Sequence, residues 1–150
     1  MFRKRKAPDA GPVARYKAVA ELRGQGLTPR WPCPCCGYPT LDERGGHAIC
    51  RICHWEDDGR GPLGEIDQPS GSNHGYTLRR AIAAFEATGT MYAAGDPMKP
   101  AAYATVEVMV TRNTLRAVYQ RWLDAPMSWD ELPIEALEAE HSQALYGDLG

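Results

Sequence analysis

The sequence predicts a small α+β protein: a zinc ribbon, in which a β-hairpin carries two C-x-x-C knuckles, packed with several α-helices. Three observations predict it. Cys33, Cys36, Cys50 and Cys53 form two C-x-x-C pairs separated by thirteen residues, Gly37 to Ile49, which is room for one hairpin. Apolar residues recur at helical spacing in other stretches of the chain. Finally, 15 Gly and 12 Pro among 150 residues cut the chain into short elements, and no apolar run reaches the length of a membrane span.

Three units follow from composition. Residues 1–30 form a basic arm with a short helix, residues 31–89 the ribbon with a supporting helix, and residues 90–150 a helical extension with an acidic last helix. Residues 1–30 hold eight Lys/Arg against two Asp/Glu, about +6, while residues 124–150 hold seven Asp/Glu and no Lys or Arg, about −7. The overall net charge of −2 conceals this asymmetry. The first eleven residues read as a polar, disordered tail. A helix follows, with Pro12 at its first position and Gly24 or Gly26 as its stop. Val13, Tyr16, Val19 or Ala20, and Leu22 give it a partial apolar face.

The ribbon is expected from Trp31 to Trp55. Tyr38–Leu41 and His47–Ile49 are its strand candidates, and Arg44-Gly45-Gly46 supplies the turn between them. Four thiolates at this spacing suit the corners of a tetrahedron around Zn²⁺. Iron in a rubredoxin-like site takes the same ligand set, but the donors and spacing favour zinc. A disulfide framework fits poorly: the cysteine count is odd, and Met1-Phe2-Arg3-Lys4-Arg5-Lys6 does not lead into a secretory segment, so a cytoplasmic location is expected. With four protein ligands the metal has no open position, which makes it structural rather than catalytic. Cys35, the fifth cysteine, lies inside the first knuckle and reads as a passive, packed thiol. Arg30, Arg44 or Arg51 are candidates to offset the negative charge of the centre, and His54 reads as a surface or supporting residue.

A Gly- and Pro-rich loop runs from Glu56 to Gly75. Thr77 then caps a helix from Leu78 to Thr88, stopped by Gly89. Its Leu78, Ala81, Ile82 and Phe85 make one apolar face, expected to lie on Trp31, Tyr38, Ile52 and Trp55. The stretch 104–123 is ambiguous. Val106, Val108 and Val110 alternate as in a strand, whereas Leu115, Val118, Tyr119 and Trp122 follow helical spacing, with Asn113 a possible cap. The lack of a turn signal between the halves favours one helix. The last helix starts at Pro133, shows Ile134, Leu137, His141 and Leu145 on one face, and ends at Gly147. Ser128 and Glu131 resemble a capping box one turn earlier. The last two helices are candidates to pack as a hairpin.

Three further patterns bear on function. Glu56-Asp57-Asp58 is a possible second cation site for a metal-dependent hydrolase, though a loop-ordering role is favoured. Gly59-x-Gly61-x-x-Gly64 matches a dinucleotide fingerprint by letter only, since Pro62 interrupts it and no strand and helix flank it. Arg3, Lys4, Arg5, Lys6, Arg15, Lys17 and Arg23, with Tyr16 among them, are candidates to line a phosphate backbone, although the pI near 6.1 is low for a dedicated nucleic-acid binder. No nucleophile–base pattern, H-E-x-x-H or P-loop is present, so catalysis has no positive signal.

The run Cys33-Pro34-Cys35-Cys36-Gly37-Tyr38-Pro39-Thr40-Leu41, then Gly45-Gly46, Cys50-x-x-Cys53, Trp55-Glu56-Asp57-Asp58 and Asp67…Gly71-x-Asn73…Leu78-x-x-Ala81…Phe85, resembles the bacterial cysteine-rich CPCC family over about residues 32–89. His54, Ile82 and Ala84 depart from that family's pattern. The resemblance implies a small zinc-ribbon-like protein and no particular activity. The expected function is a zinc-binding structural or regulatory module with a protein partner. Nucleic-acid binding through the basic arm is the alternative, and hydrolysis at the acidic loop ranks last.

Overall fold

The computed structural model describes residues 11–147, so Arg3, Lys4, Arg5 and Lys6 of the basic arm lie outside the described residues. Four helices and one small two-stranded sheet make up the described chain: α1 Pro12–Gly24, β1 Trp31–Pro32, β2 Pro39–Leu41, α2 Leu78–Thr88, α3 Val106–Asp124 and α4 Ile134–Tyr146. No described helix is long and apolar enough to cross a membrane.

The local signals explain most boundaries. Pro12 opens α1, where its missing N–H costs nothing. The Thr77 hydroxyl accepts from Arg80 N and starts α2, and Gly89, at φ 83°, ends it in the left-handed region. Within the 104–123 stretch the favoured single helix forms from Val106 on, after a 3₁₀ turn over Ala101–Ala104. Its cap is Thr105, whose hydroxyl accepts from Val108 N, so Asn113 lies mid-helix. Pro133 stands just before α4 rather than in its first turn, and Gly147 follows the helix. The capping box at Ser128 does not form: Trp129–Glu131 is a 3₁₀ turn and Ser128 makes no side-chain cap.

The ribbon corrects the expected strand pairing. β2 does not pair with His47–Ile49. It pairs antiparallel with β1, Trp31 opposite Leu41 and Pro32 opposite Pro39, across the first knuckle. Ile49 pairs with Glu56 across the second. Each C-x-x-C turn is thus the loop of its own small hairpin. Closing such a loop orders few residues, whereas the expected hairpin had to be closed through a glycine turn. Gly45 instead donates its N–H to Asp57 Oδ2 at 2.6 Å, which holds the linking loop against the second knuckle.

One apolar cluster runs through the molecule. It joins the cysteines, Tyr38, Ile52 and Trp55 to Leu78, Ala81 and Phe85 of α2, and on to Leu115, Val118 and Tyr119 of α3 and Ile134 of α4. Trp31 is not part of it: the ring is half-buried beneath the Arg23 guanidinium, 3.5 Å from the centroid. A second cluster, Val19 with Trp122 and Leu123, fixes α1 to the end of α3. α3 and α4 pack as an antiparallel pair, with Tyr119 meeting Glu138 and Thr111 meeting His141.

Candidate metal centre

The two knuckles are built alike. Cys33 N donates to Tyr38 O at 2.9 Å and Gly37 N to Cys33 O at 2.8 Å; Cys50 N donates to Trp55 O at 2.8 Å and His54 N to Cys50 O at 2.8 Å. The residue after each second cysteine takes a positive φ, 82° at Gly37 and 76° at His54. That turn swings the two thiols of each pair to one side, and the pairs face each other. Cys33, Cys36, Cys50 and Cys53 are fully buried, and their sulfurs lie within 4.8 Å of one another. Cys33 Sγ is 3.6 Å from Cys53 Sγ, and Cys36 Sγ is 3.7 Å from Cys50 Sγ. Disulfide bonding would require about 2 Å. A tetrahedron with metal–sulfur bonds near 2.3 Å has sulfur–sulfur edges of about 3.8 Å, so the spacing fits a four-coordinate metal ion.

Burial sets the electrostatics. It pushes the Cys33, Cys53 and Cys35 thiols up. On Cys50 burial acts the same way but is outweighed by hydrogen bonds from Cys33, Cys36, Cys53 and Thr40, which hold this thiol well below its ordinary value. The Thr40 hydroxyl donates to Cys50 Sγ at 3.2 Å. Four buried thiols with one preferred anion suit a cation that deprotonates the rest. The arginines do not serve the sulfurs. Arg30 forms a bidentate pair with Glu138 at 2.7 and 2.8 Å, and Arg51 Nη1 lies 2.8 Å from Glu138 Oε2 as a charge contact. Arg44 donates to Tyr16 OH and to Gly59 O.

Sequence reasoning missed what surrounds the second knuckle. The Arg51 carbonyl accepts from His141 Nε2 at 2.8 Å and from Tyr103 OH at 3.4 Å. Burial holds His141 below its ordinary pKa, so the ring is neutral, Nε2 carries the proton, and Nδ1 accepts from the Thr111 hydroxyl at 2.7 Å. Tyr119 OH donates to Glu138 at 2.7 Å. Met91 N donates to Cys53 O at 2.8 Å. His141 did stand on the expected apolar face of the last helix, but nothing in the sequence names its partner.

The other candidate residues do not converge. Glu56 pairs with His47 Nδ1 at 3.0 Å. Asp57 is fully buried and accepts from Gly45 N and Gly59 N. Asp58 accepts from Ser70 and Arg60; burial raises its pKa, but those partners leave it below the ordinary value. Among the described residues the four cysteines are the one group able to hold a metal ion. In the basic set, Arg15 is buried with its Nε donating to Cys36 O at 2.9 Å and its guanidinium 4.1 Å from the Tyr38 centroid. Arg23 lies over Trp31, and Lys17 is exposed.

Fold and site together define a small α+β protein with a closed, all-cysteine centre compatible with structural metal binding. Residues 31–99 match the family model described as cysteine-rich CPCC. That range is slightly wider than the motifs suggest and takes in Met91 and Tyr92, which are buried against the second knuckle. No curated protein and no solved structure matches the chain.

Proposed function

We propose that this protein is a zinc-stabilised interaction module whose metal is structural and whose partner is another protein. The observation that carries the reading is the enclosure of four sulfurs, each fully buried and all within 4.8 Å of one another. No position is left for a water or a substrate, so the ion holds two knuckles together and performs no reaction. Zinc suits this donor set because it needs no redox partner and accepts tetrahedral sulfur without strain.

Two features support a protein partner. Val106, Met109 and Val110 are 74, 44 and 57 % exposed at the start of α3. Glu135 and Glu140 are exposed on α4, while Glu138 is consumed internally. The nucleic-acid reading loses two of its cations to internal contacts, Arg15 to Cys36 O and Arg23 to Trp31. For hydrolysis, the acidic loop offers three carboxylates that each tie down a different group.

Elemental analysis of protein purified under reducing conditions tests the metal: one zinc per chain is expected, falling to none in Cys50→Ser. Iron with visible absorption would overturn zinc. Fluorescence anisotropy with short DNA and RNA across a salt series tests the partner. No binding near physiological salt is expected. Micromolar binding that falls steeply with salt and vanishes when Arg3, Lys4, Arg5 and Lys6 are replaced by alanine would establish the nucleic-acid reading instead.

A further inference from the structure

Arg112, midway along α3, is a buried cation with no salt-bridge partner among the described residues, and the charge of Cys53 favours it only without a bonded contact. It is 7 % exposed, and its Nε and Nη1 are enclosed with no hydrogen-bond partner. No carboxylate among the described residues forms a salt bridge with it. Arginine is rarely buried to this degree unless paired, because a guanidinium that loses its hydration without gaining a bonded partner is destabilised. The Tyr103 ring, 5.6 Å from the guanidinium carbon, offers a cation–π contact, which is too weak to replace that hydration. The carboxyl end of α2 ends beside it at Gly89. The terminal carbonyls there attract a cation but leave Nε and Nη1 unbonded.

A second cation stands on the same face. Arg116 is one turn further along α3, half-buried, with its guanidinium carbon 4.9 Å from the Phe85 centroid and its Nε donating to Tyr38 OH at 3.4 Å. It too forms no salt bridge among the described residues. The two arginines meet over Gly89. A Cβ built there would lie 3.3 Å from Arg112 Nη2 and 3.8 Å from Arg116 Nη1. The two nitrogens are therefore no more than about 7 Å apart, a span that one tetrahedral oxyanion bridges through N–H···O bonds of about 2.9 Å. Burial and, after it, the charge of Arg116 lower the Arg112 pKa and outweigh Tyr103 and Cys53, whose charges raise it.

We propose that Arg112 and Arg116, side by side over Gly89, bind a phosphate group. Two guanidinium forks match the charge and the several acceptor oxygens of a phosphate dianion better than those of a single carboxylate. The same chemistry is presented by free inorganic phosphate and by the terminal group of a small phosphomonoester. The site shares no bonded group with the metal centre, though the charge of Cys53 acts on Arg112, and it does not rest on the proposed partner.

Isothermal titration of the full, zinc-loaded chain tests this, using inorganic phosphate, phenyl phosphate and acetate at matched ionic strength. Saturable binding of a phosphate probe is expected, weakened at least tenfold in Arg116→Gln, whose half-buried position keeps the fold intact. Tighter binding of phenyl phosphate would assign the site to monoesters, and tighter binding of inorganic phosphate to the free ion. No saturable binding, binding unchanged in Arg116→Gln, or acetate binding as well as phosphate would each overturn the proposal. Thermal unfolding of Arg112→Met gives a second readout. Without phosphate the variant is expected to melt at or above the parent temperature, and added phosphate is expected to raise only the parent. A phosphate-induced rise of equal size in both would sink the site.

Discussion

Gly37 and His54 hold the same place in the two knuckles, yet a substitution at one should be ruinous and at the other mild. A Cβ on Gly37 would stand 2.5 Å from Pro12 O and 2.9 Å from both Arg15 Cβ and Tyr16 N, at φ 82°. Gly37→Ala should therefore cost about 3 kcal/mol or more in denaturant unfolding, because α1 has to move off the knuckle. His54→Gly would relieve left-handed strain of about 1 kcal/mol and give up the 2.9 Å contact with Tyr92 OH, worth about as much. Its stability should stay within about 1 kcal/mol of the parent. Thr40→Val removes the hydroxyl bonded to Cys50 Sγ and should weaken metal affinity about 10- to 100-fold in a competition titration with a chromophoric chelator. The clustering of the four cysteines was legible from spacing, because two C-x-x-C pairs thirteen residues apart can close on one another. Thr40 was not, since a threonine four residues beyond Cys36 carries no mark of what its hydroxyl will meet.

Between elements, Glu138 is the tie: α4 reaches Arg30 ahead of β1 and Arg51 in the second knuckle through this one side chain. Removing its charge leaves two arginines without their shared partner, so Glu138→Gln should cost about 3 kcal/mol near pH 7. Its pH dependence has a definite sign. Burial raises the Glu138 pKa, but the Arg30 hydrogen bonds, Arg51 and Tyr119 outweigh it, so the folded value lies below 4.5. The contribution is present above the unfolded value near 4.5 and is lost as pH falls through the lower folded one. His141, lowered from 6.5 by burial, adds an earlier loss that begins as pH falls below 6.5. With zinc in excess, the stability profile of Glu138→Gln should keep the first loss and lack the second. The helices themselves were largely legible. Thr77, Gly89, Pro12 and Gly147 are punctuation that local chemistry enforces. The alternation of Val106, Val108 and Val110 misleads as strand evidence because only Val108 is buried, and the Thr105 cap decides for a helix. The strand pairing was misread for a different reason. Periodicity marks strand segments, but it does not say that each knuckle closes on itself.

Across the whole molecule, the cysteines and the last two helices share one apolar cluster, so metal and helices should be lost together. Binding of about 10–16 kcal/mol is typical of structural zinc in small domains, comparable with the stability of an entire chain of this size. Chelation under reducing conditions should abolish most helical circular dichroism in a single transition. Retention of the α3 and α4 signal after metal removal would show that they fold without the ribbon. The charge asymmetry was plain in the composition, but not that Arg15, Arg23 and Glu138 are spent on internal contacts, because composition cannot distinguish a solvated charge from a paired one. The hold of His141 and Tyr103 on the Arg51 carbonyl has one more consequence, for portability. Residues 31–99 contain all four clustered cysteines, yet cut out alone they would lack Tyr103, Tyr119, Glu138 and His141, and the second knuckle would lose its outer wall. Grafted into a new host, this stretch would bring the four cysteines without their scaffolding. A stretch of chain that has no cysteine of its own thus governs how far the cysteine motif can travel.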